Sequence, residues 1–309
     1  LTSKVVDVVK YEDLDLLHVH YAIPHAAIAY MAKQILLTNG KSIPIITTLH
    51  GTDITLVGNN RTFSPVVEFS INHSDGVTAV SESLAHDTYE NFNIHVPIKV
   101  IYNFIDFDRF KKLNKDHFRK AIAPNGEKIL IHTSNFRKVK RVDEVIRIFA
   151  SVHKVIPSKL LMIGDGPERQ NLEELCRELH LCDHVRFLGK QDAIEEILAI
   201  GDLFLIPSAS ESFGLSALEA MACEVPVISS NIGGLPEVNI DGVTGYLCEV
   251  GDHETMALRA IEILSDENRL STFRKNSLNQ AKKFDISVIL PEYENYYMEV
   301  ISNFKKTGN

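Results

Sequence analysis

The stretch DLFLIPSASESFGLSALEAMACEVPVISS (202–230) reads as a strand, a small polar loop, a helix and a second strand. The first strand ends at Pro207, and Leu215, Leu218 and Ala222 recur at helical spacing from about Gly214 onward. Glu219 lies beside that apolar stripe, where a carboxylate is costly to bury without strong hydrogen-bond partners. Glu211 stands eight residues earlier in the loop. Between them the helix start offers free N–H groups and a partial charge of roughly +0.5, suited to a phosphate. The arrangement is what a nucleotide sugar needs: amides for the diphosphate, one carboxylate for ribose hydroxyls and one for sugar hydroxyls. The blander reading leaves Glu211 on a surface loop and Glu219 tied to a neighbouring strand, and an E-x7-E spacing alone does not decide between them.

The same alternation extends in both directions. Strands are expected at 16–20, 44–50, 76–81 and 99–104, then at 128–136, 159–164, 184–189, 202–208 and 226–230. Helical patterns separate them at 26–37 and 83–92, after Lys140, where Val142, Val145, Ile146, Phe149 and Val152 share a face, and around Leu172–Leu179. Near-continuous apolar strands each followed by a helix indicate parallel sheets covered on both faces. The series pauses at the charged stretch 105–127, read as a solvated linker rather than a site for an anionic partner. The expected architecture is therefore α/β: a first doubly wound domain over 1–105, a second over 106–284, a cleft between them, and a terminal helix over 285–309 packing back toward the first. The chain opens at Leu1 on what reads as the tail of a helix, so the first domain is expected to be incomplete.

Of the 309 residues, 45% are hydrophobic and 24% charged, ordinary globular proportions and enough chain for two cores. With 41 acidic against 32 basic residues the formal charge is -9, which argues against a general nucleic-acid binder. No apolar run approaches the roughly 20 residues of a membrane span. Four cysteines without CxxC spacing are simplest to read as reduced, in a cytoplasmic setting.

Further candidates lie at other strand ends. In SNFRKVKR (134–141), Arg137, Lys138, Lys140 and Arg141 are placed to neutralise a diphosphate, or form a solvated basic turn. GDGPE (164–168) marks close backbone approach of a ligand, or a tight turn. In TTLHGTDIT (47–55), His50 and Asp53 are suited to holding a sugar hydroxyl, with Asp53 equally suited to capping the next helix. The triplets Asp13-Leu14-Asp15 and Asp106-Phe107-Asp108 read as turns, and His18, His20 and His25 as a strand end rather than a metal site.

Taken together, ESFGLSALE, GGLPEV…DGVTGYL (233–247), GDGPE and HGTD resemble the family 4 retaining glycosyltransferases, whose GT-B fold sets two Rossmann-like domains around a cleft. LHVHYAIPHA (17–26) with TTLHGTDIT is similar to the branch that transfers N-acetylglucosamine from UDP-N-acetylglucosamine to the hydroxyl of L-malate, the first step of bacillithiol biosynthesis. The resemblance implies that Glu219 binds the ribose diol and Glu211 the donor sugar. It also implies that Phe213, Gly214 and Leu215 present backbone amides, and that Arg137 and Lys140 hold the diphosphate. His50 would contact the sugar near its 6-hydroxyl, with Asp53 beside it, and Gly189 would border the uracil pocket. Ser134-Asn135-Phe136 replaces the family's usual Gly-Arg-Leu, so Arg137 stands in for its arginine. For the malate carboxylates the candidates are Arg61, Thr48 and Tyr21, Arg61 being equally readable as a surface-loop residue. The resemblance further implies no cofactor, no divalent metal and a homodimer. Competing readings are a family 4 enzyme using a polysaccharide or lipid-linked acceptor, a sugar-nucleotide epimerase, and a non-catalytic binding module.

Overall fold

Short apolar runs that are each followed by a helix can pair only in parallel, because the helix returns the chain to the edge where it began. The computed structural model describes residues 1–56, 62–113 and 116–306. They divide into two units, Leu1–Asn103 with Ser287–Asn309, and Phe104–Ile286.

In the first unit, α1 (Thr2–Tyr11) leads into β1 (Leu17–His20), followed by α2 (Ala27–Thr38), β2 (Ile45–Leu49), α3 (Ser64–Asn72), β3 (Gly76–Ala79), α4 (Glu82–Asn91) and β4 (Ile98–Val100). The sheet is parallel in the order β1-β2-β3-β4, with Leu17 opposite Ile45 and Ile46 opposite Gly76. Every residue of β2 and β3 is buried, which is why these strands carry no polar alternation. β4 is shorter than the expected 99–104. Ile101 N–H still reaches the Ala79 carbonyl at 3.0 Å, but β3 ends there and later residues have no strand to pair with. The Ser81 hydroxyl accepts from Leu84 N–H at 3.1 Å and so starts α4.

The second unit contains α5 (Asp116–Ile122), β5 (Lys128–Thr133), α6 (Val142–His153), β6 (Ser158–Ile163), α7 (Arg169–Glu178), β7 (Val185–Gly189) and α8 (Ile194–Leu198). It continues through β8 (Leu203–Ile206), α9 (Leu215–Ala222), β9 (Val227–Ser230), α10 (Leu235–Val238), β10 (Gly245–Cys248), α11 (His253–Leu264) and α12 (Glu267–Ala281). The six-stranded parallel sheet runs β10-β9-β8-β5-β6-β7. From β5 the chain winds outward through β6 and β7, then returns to β8 on the other side and winds the opposite way. The reversal lies between β5 and β8, the position where open α/β sheets bind ligands at their carboxyl ends. The α6 stripe Val142, Val145, Ile146, Phe149 and Val152 is buried, each such side chain contributing about 1.5–3 kcal/mol.

The charged stretch 105–127 is mostly exposed among its described residues, as expected of a solvated linker, but a few apolar side chains anchor it. Ile105, Phe110, Ile122 and Ala123 are buried, and Ile105 bridges to Asp285 within the second unit. Its Asp106-Phe107-Asp108 triplet is a turn, with Asp106 Oδ1 accepting from Asp108 N–H at 2.8 Å. The last helix, α13 (Ile286–Lys306), belongs from Ser287 onward to the first unit, where Ile289, Tyr293, Tyr296 and Val300 pack on Ile46 and Ile101. No helix among the described residues is long and apolar enough to cross a membrane.

Candidate active site

At the reversal point two loops leave adjacent strands: 134–141 after β5, and 207–214 after β8. Each is seated by a glycine on a neighbouring loop. A Cβ at Gly164 would fall 1.8 Å from the Ser134 carbonyl oxygen, and one at Gly233 would fall 1.9 Å from that of Glu211. Only hydrogen fits at either place. The close approach legible in GDGPE is therefore between two segments of this chain. His132, buried beneath the first loop, adds a further tie. Burial pushes its pKa down to about 4, so the ring is neutral. Its Nδ1–H donates to the Leu205 carbonyl at 2.8 Å, leaving Nε2 to accept from the Ser134 hydroxyl at 2.8 Å.

On these seated loops the charged groups meet. Lys140, at the end of a short 3-10 turn over Lys138–Lys140, forms an ion pair with Glu211, and the Ser208 hydroxyl donates to the same carboxylate oxygen at 3.0 Å. The Ala209 N–H bonds the Val139 carbonyl at 2.8 Å, joining the two loops through their backbones. Gly214 precedes α9 and no side chain caps the helix, so its first N–H groups, at Leu215 and Ser216, have no carbonyl of a preceding turn to bond. That start, beside the Lys140 ammonium, suits a diphosphate. Phe213 is buried against Phe284, which fixes the backbone just before the helix. Arg137 is exposed and has no ion pair among the described residues.

Glu219 lies one turn into α9. Its side chain makes no hydrogen bond among the described residues. Burial raises its pKa to about 7, Arg109 opposing the shift and Glu195 adding to it. A carboxylate at this position, without a partner, is a ready acceptor for a pair of hydroxyls. Arg109, absent from the sequence-based candidates, is itself held by Glu195 at 3.1 Å and the Asp192 carbonyl at 2.9 Å. Ser208, His132 and Ser134 were also missed, since nothing in single serines or a buried strand histidine marks them in sequence. Gly189 ends β7 and its carbonyl accepts from Gly164 N–H at 2.8 Å, while the space at its Cα is open apart from Arg169 Nη1 at 3.9 Å.

In the first unit the candidates at the ends of β1 and β2 are bonded mainly to one another. Asp53 is buried, its Oδ2 accepting from Ala22 N–H at 2.8 Å and its Oδ1 from Gly51 N–H at 3.0 Å. Thr48 is buried, its hydroxyl shared with His18 Nε2 at 2.7 Å and Thr78 at 2.6 Å. These bonds let Asp53 fix the backbone under His50 and Thr48 orient His18, whose Nδ1 meets the Tyr297 hydroxyl at 2.8 Å. His50 Nε2 lies 2.7 Å from His20 Nδ1, and the Tyr21 ring is 5.0 Å from that of His50. Burial, reinforced by His20, pushes the His50 pKa down to about 4, so the His50 ring is neutral at pH 7. Arg61 lies outside the described residues.

Two parallel α/β units, one carrying an anion cradle between paired loops at its sheet reversal, define the GT-B class of glycosyltransferases. Sequence comparison agrees. Residues 114–280 match the glycosyl transferases group 1 family and residues 1–109 match glycosyltransferase family 4. N-acetyl-alpha-D-glucosaminyl L-malate synthase of Bacillus anthracis is 46% identical over 99% of this chain and 80% of its own length. An uncharacterized glycosyltransferase of Methanocaldococcus jannaschii is 30% identical over 99% of this chain and 77% of its own. Among solved structures, Anabaena HepE in complex with UDP-glucose superposes with a TM-score of 0.86 at 24% identity, covering 96% of this chain and 82% of that one. Sucrose-phosphate synthase from Thermosynechococcus elongatus gives 0.84 at 21% identity, covering 98% and 77%. The chain belongs to glycosyltransferase family 4.

Proposed function

We propose that this enzyme transfers N-acetylglucosamine from UDP-N-acetylglucosamine to the hydroxyl of L-malate with retention at the anomeric carbon, in the cytoplasm and without a cofactor or divalent metal. The observation that carries the reading is the Lys140–Glu211 pair at the uncapped start of α9, with the unpartnered Glu219 carboxylate on the same helix. The name of the Bacillus anthracis relative supports the donor and acceptor.

In this mechanism Glu219 accepts the ribose hydroxyls and Glu211 the sugar hydroxyls. The bond from the anomeric carbon to the diphosphate oxygen breaks, its electron pair leaving with UDP. Lys140, Arg137 and the α9 N–H groups take up the developing charge. The malate hydroxyl attacks from the face the diphosphate leaves, and its proton passes to the departing phosphate oxygen. Glu211 orients the sugar and forms no covalent bond to it. His50 contacts the sugar, Gly189 borders the base, and Tyr21 and Arg61 serve the acceptor. The family resemblance extends the reading to a homodimer, which sedimentation would detect.

The test is UDP release from UDP-N-acetylglucosamine in EDTA, with and without L-malate. Malate-dependent release is expected. Donor binding with no response to malate would overturn the acceptor assignment and direct the search to polysaccharide or lipid-linked acceptors.

A further inference from the structure

The stretch 105–127 brings cations to a place the transfer chemistry does not use. Lys128 opens β5 and Asp202 immediately precedes β8, two strands that pair side by side. Around these amino-terminal ends lies a cavity of about 360 Å³ walled by Lys112, Arg119, Lys128 and Arg274, with Asp202 and Glu267 as its carboxylates. The donor loops leave the opposite ends of the same strands. β5 is six residues long, so about 20 Å of strand separates the two places.

Four cations face two carboxylates, and the carboxylates are already engaged. Asp202 is buried, with Oδ2 accepting from Arg119 at 2.7 Å and from Ile129 N–H at 2.8 Å, and Oδ1 from Arg274. Glu267 pairs with Lys128 and is otherwise largely exposed. Lys112 has no ion pair among the described residues, and Arg274 Nε is buried without an acceptor. Desolvation, then the nearby Arg274 charge, hold the Lys112 ammonium below the ordinary lysine range, although the residue as a whole is exposed. Asp202, Glu224 and Arg119 are the other charges acting on it. Cations gathered around a concave space, with donors left over, are stabilised by an anion that enters it.

We propose that this cavity is a second ligand site, separate from the donor loops, that binds a phosphate group through Lys112, Arg119 and Arg274. Counting Glu224 with the two lining carboxylates leaves one positive charge in excess, which a singly charged phosphate matches. Lys112 supplies an ammonium that no described carboxylate pairs with, beside the Arg119 and Arg274 charges held at the wall by Asp202. The volume exceeds what phosphate alone fills, leaving room for a small organic group esterified to it. Free phosphate and a phosphate monoester share the recognising chemistry.

Calorimetric titration of the full chain with inorganic phosphate, in saturating UDP to occupy the donor loops, tests the site. One saturable phosphate per chain is expected, weakened about tenfold or more in Lys112→Glu and less in Lys112→Ala. Because Lys112 has no ion pair, both variants are expected to melt with the parent protein. Absence of saturable binding, or equal binding by the parent and both variants, overturns the proposal. A parallel titration with glucose 6-phosphate separates the sources: tighter binding identifies a monoester, equal binding free phosphate. The contrast between parent and Lys112 variants is read whether or not UDP occupies the donor loops, so it stands apart from the donor assignment.

Discussion

The ends of β1 and β2 in the first unit and the ends of β5 and β8 in the second are built from different chemistry. In the first, hydrogen bonds close on themselves: Thr48 with His18 and Thr78, His20 with His50, and Asp53 with backbone amides. In the second, charges stand partly unmatched. Lys140 and Glu211 satisfy each other, Glu219 has no hydrogen-bond partner among the described residues, and Arg137 has no ion pair there. A closed hydrogen-bond network holds its shape without a ligand. An open ionic one is completed when an anion and hydroxyls arrive, which is where differential stabilisation of a transition state is available.

The contrast is broken most directly at Lys140. Lys140→Ala is expected to slow transfer by about 10²–10³-fold, the scale for losing one charge-stabilising donor, with a smaller effect on stability because Ser208 still donates to Glu211. Steady-state kinetics beside a urea melt would show the opposite pattern if Lys140 were structural. Asp53→Ala should reverse the balance. It orphans the buried N–H groups of Ala22 and Gly51 and should cost about 2–3 kcal/mol in the melt. UDP affinity should not change, and an unmoved melting curve would refute the clamp.

The pH dependences of the two regions carry opposite signs. Glu219 has a folded pKa of about 7, above its ordinary 4.5, so its contribution to stability is fully present below about 4.5 and lost as pH rises through 7. UDP affinity should rise over the same window as the carboxylate ionises, and Glu219→Gln should flatten both profiles. His50 has a folded pKa of about 4, below 6.5, so its contribution is present above 6.5 and lost as pH falls through 4. Melting temperature against pH for His50→Gln should lose that acid-side slope. Slopes of the same sign for Glu219 and His50 would erase the distinction between the two regions.

The sheets were legible because buried parallel strands must be continuously apolar, as in LFLI of β8 and IITTL of β2. β10 was not, since GYLC is too short and mixed to stand out from the loop around it. The candidate loops were found because strand ends, glycines and charged residues coincide there. What each side chain touches was harder to read. Asp53 looks identical in sequence whether it meets a ligand or the amides of Ala22 and Gly51, because those amides come from two separate segments. The linker's anchors were hidden for a related reason: charge density surrounds Ile105, Phe110 and Ile122, and Ile105 bridges as far along the chain as Asp285.

Seating one loop on a hydrogen atom of another changes where mutation is tolerated. The position of the Ser134 carbonyl is dictated from Gly164 and those of Asn135 and Phe136 from Gly166, while the Glu211 carbonyl is set from Gly233 and the Ser212 carbonyl from Gly234, not by the side chains of the loops themselves. The exposed Asn135 side chain can thereby be exchanged for a new donor or acceptor without displacing the loop backbone. The cost of that arrangement falls on two remote glycine pairs, Gly164 with Gly166 and Gly233 with Gly234, where any side chain would collide with a carbonyl oxygen. Selection for a new sugar would therefore leave its record in the loops, and selection against loss of the site would leave its record thirty residues after one and twenty-two after the other.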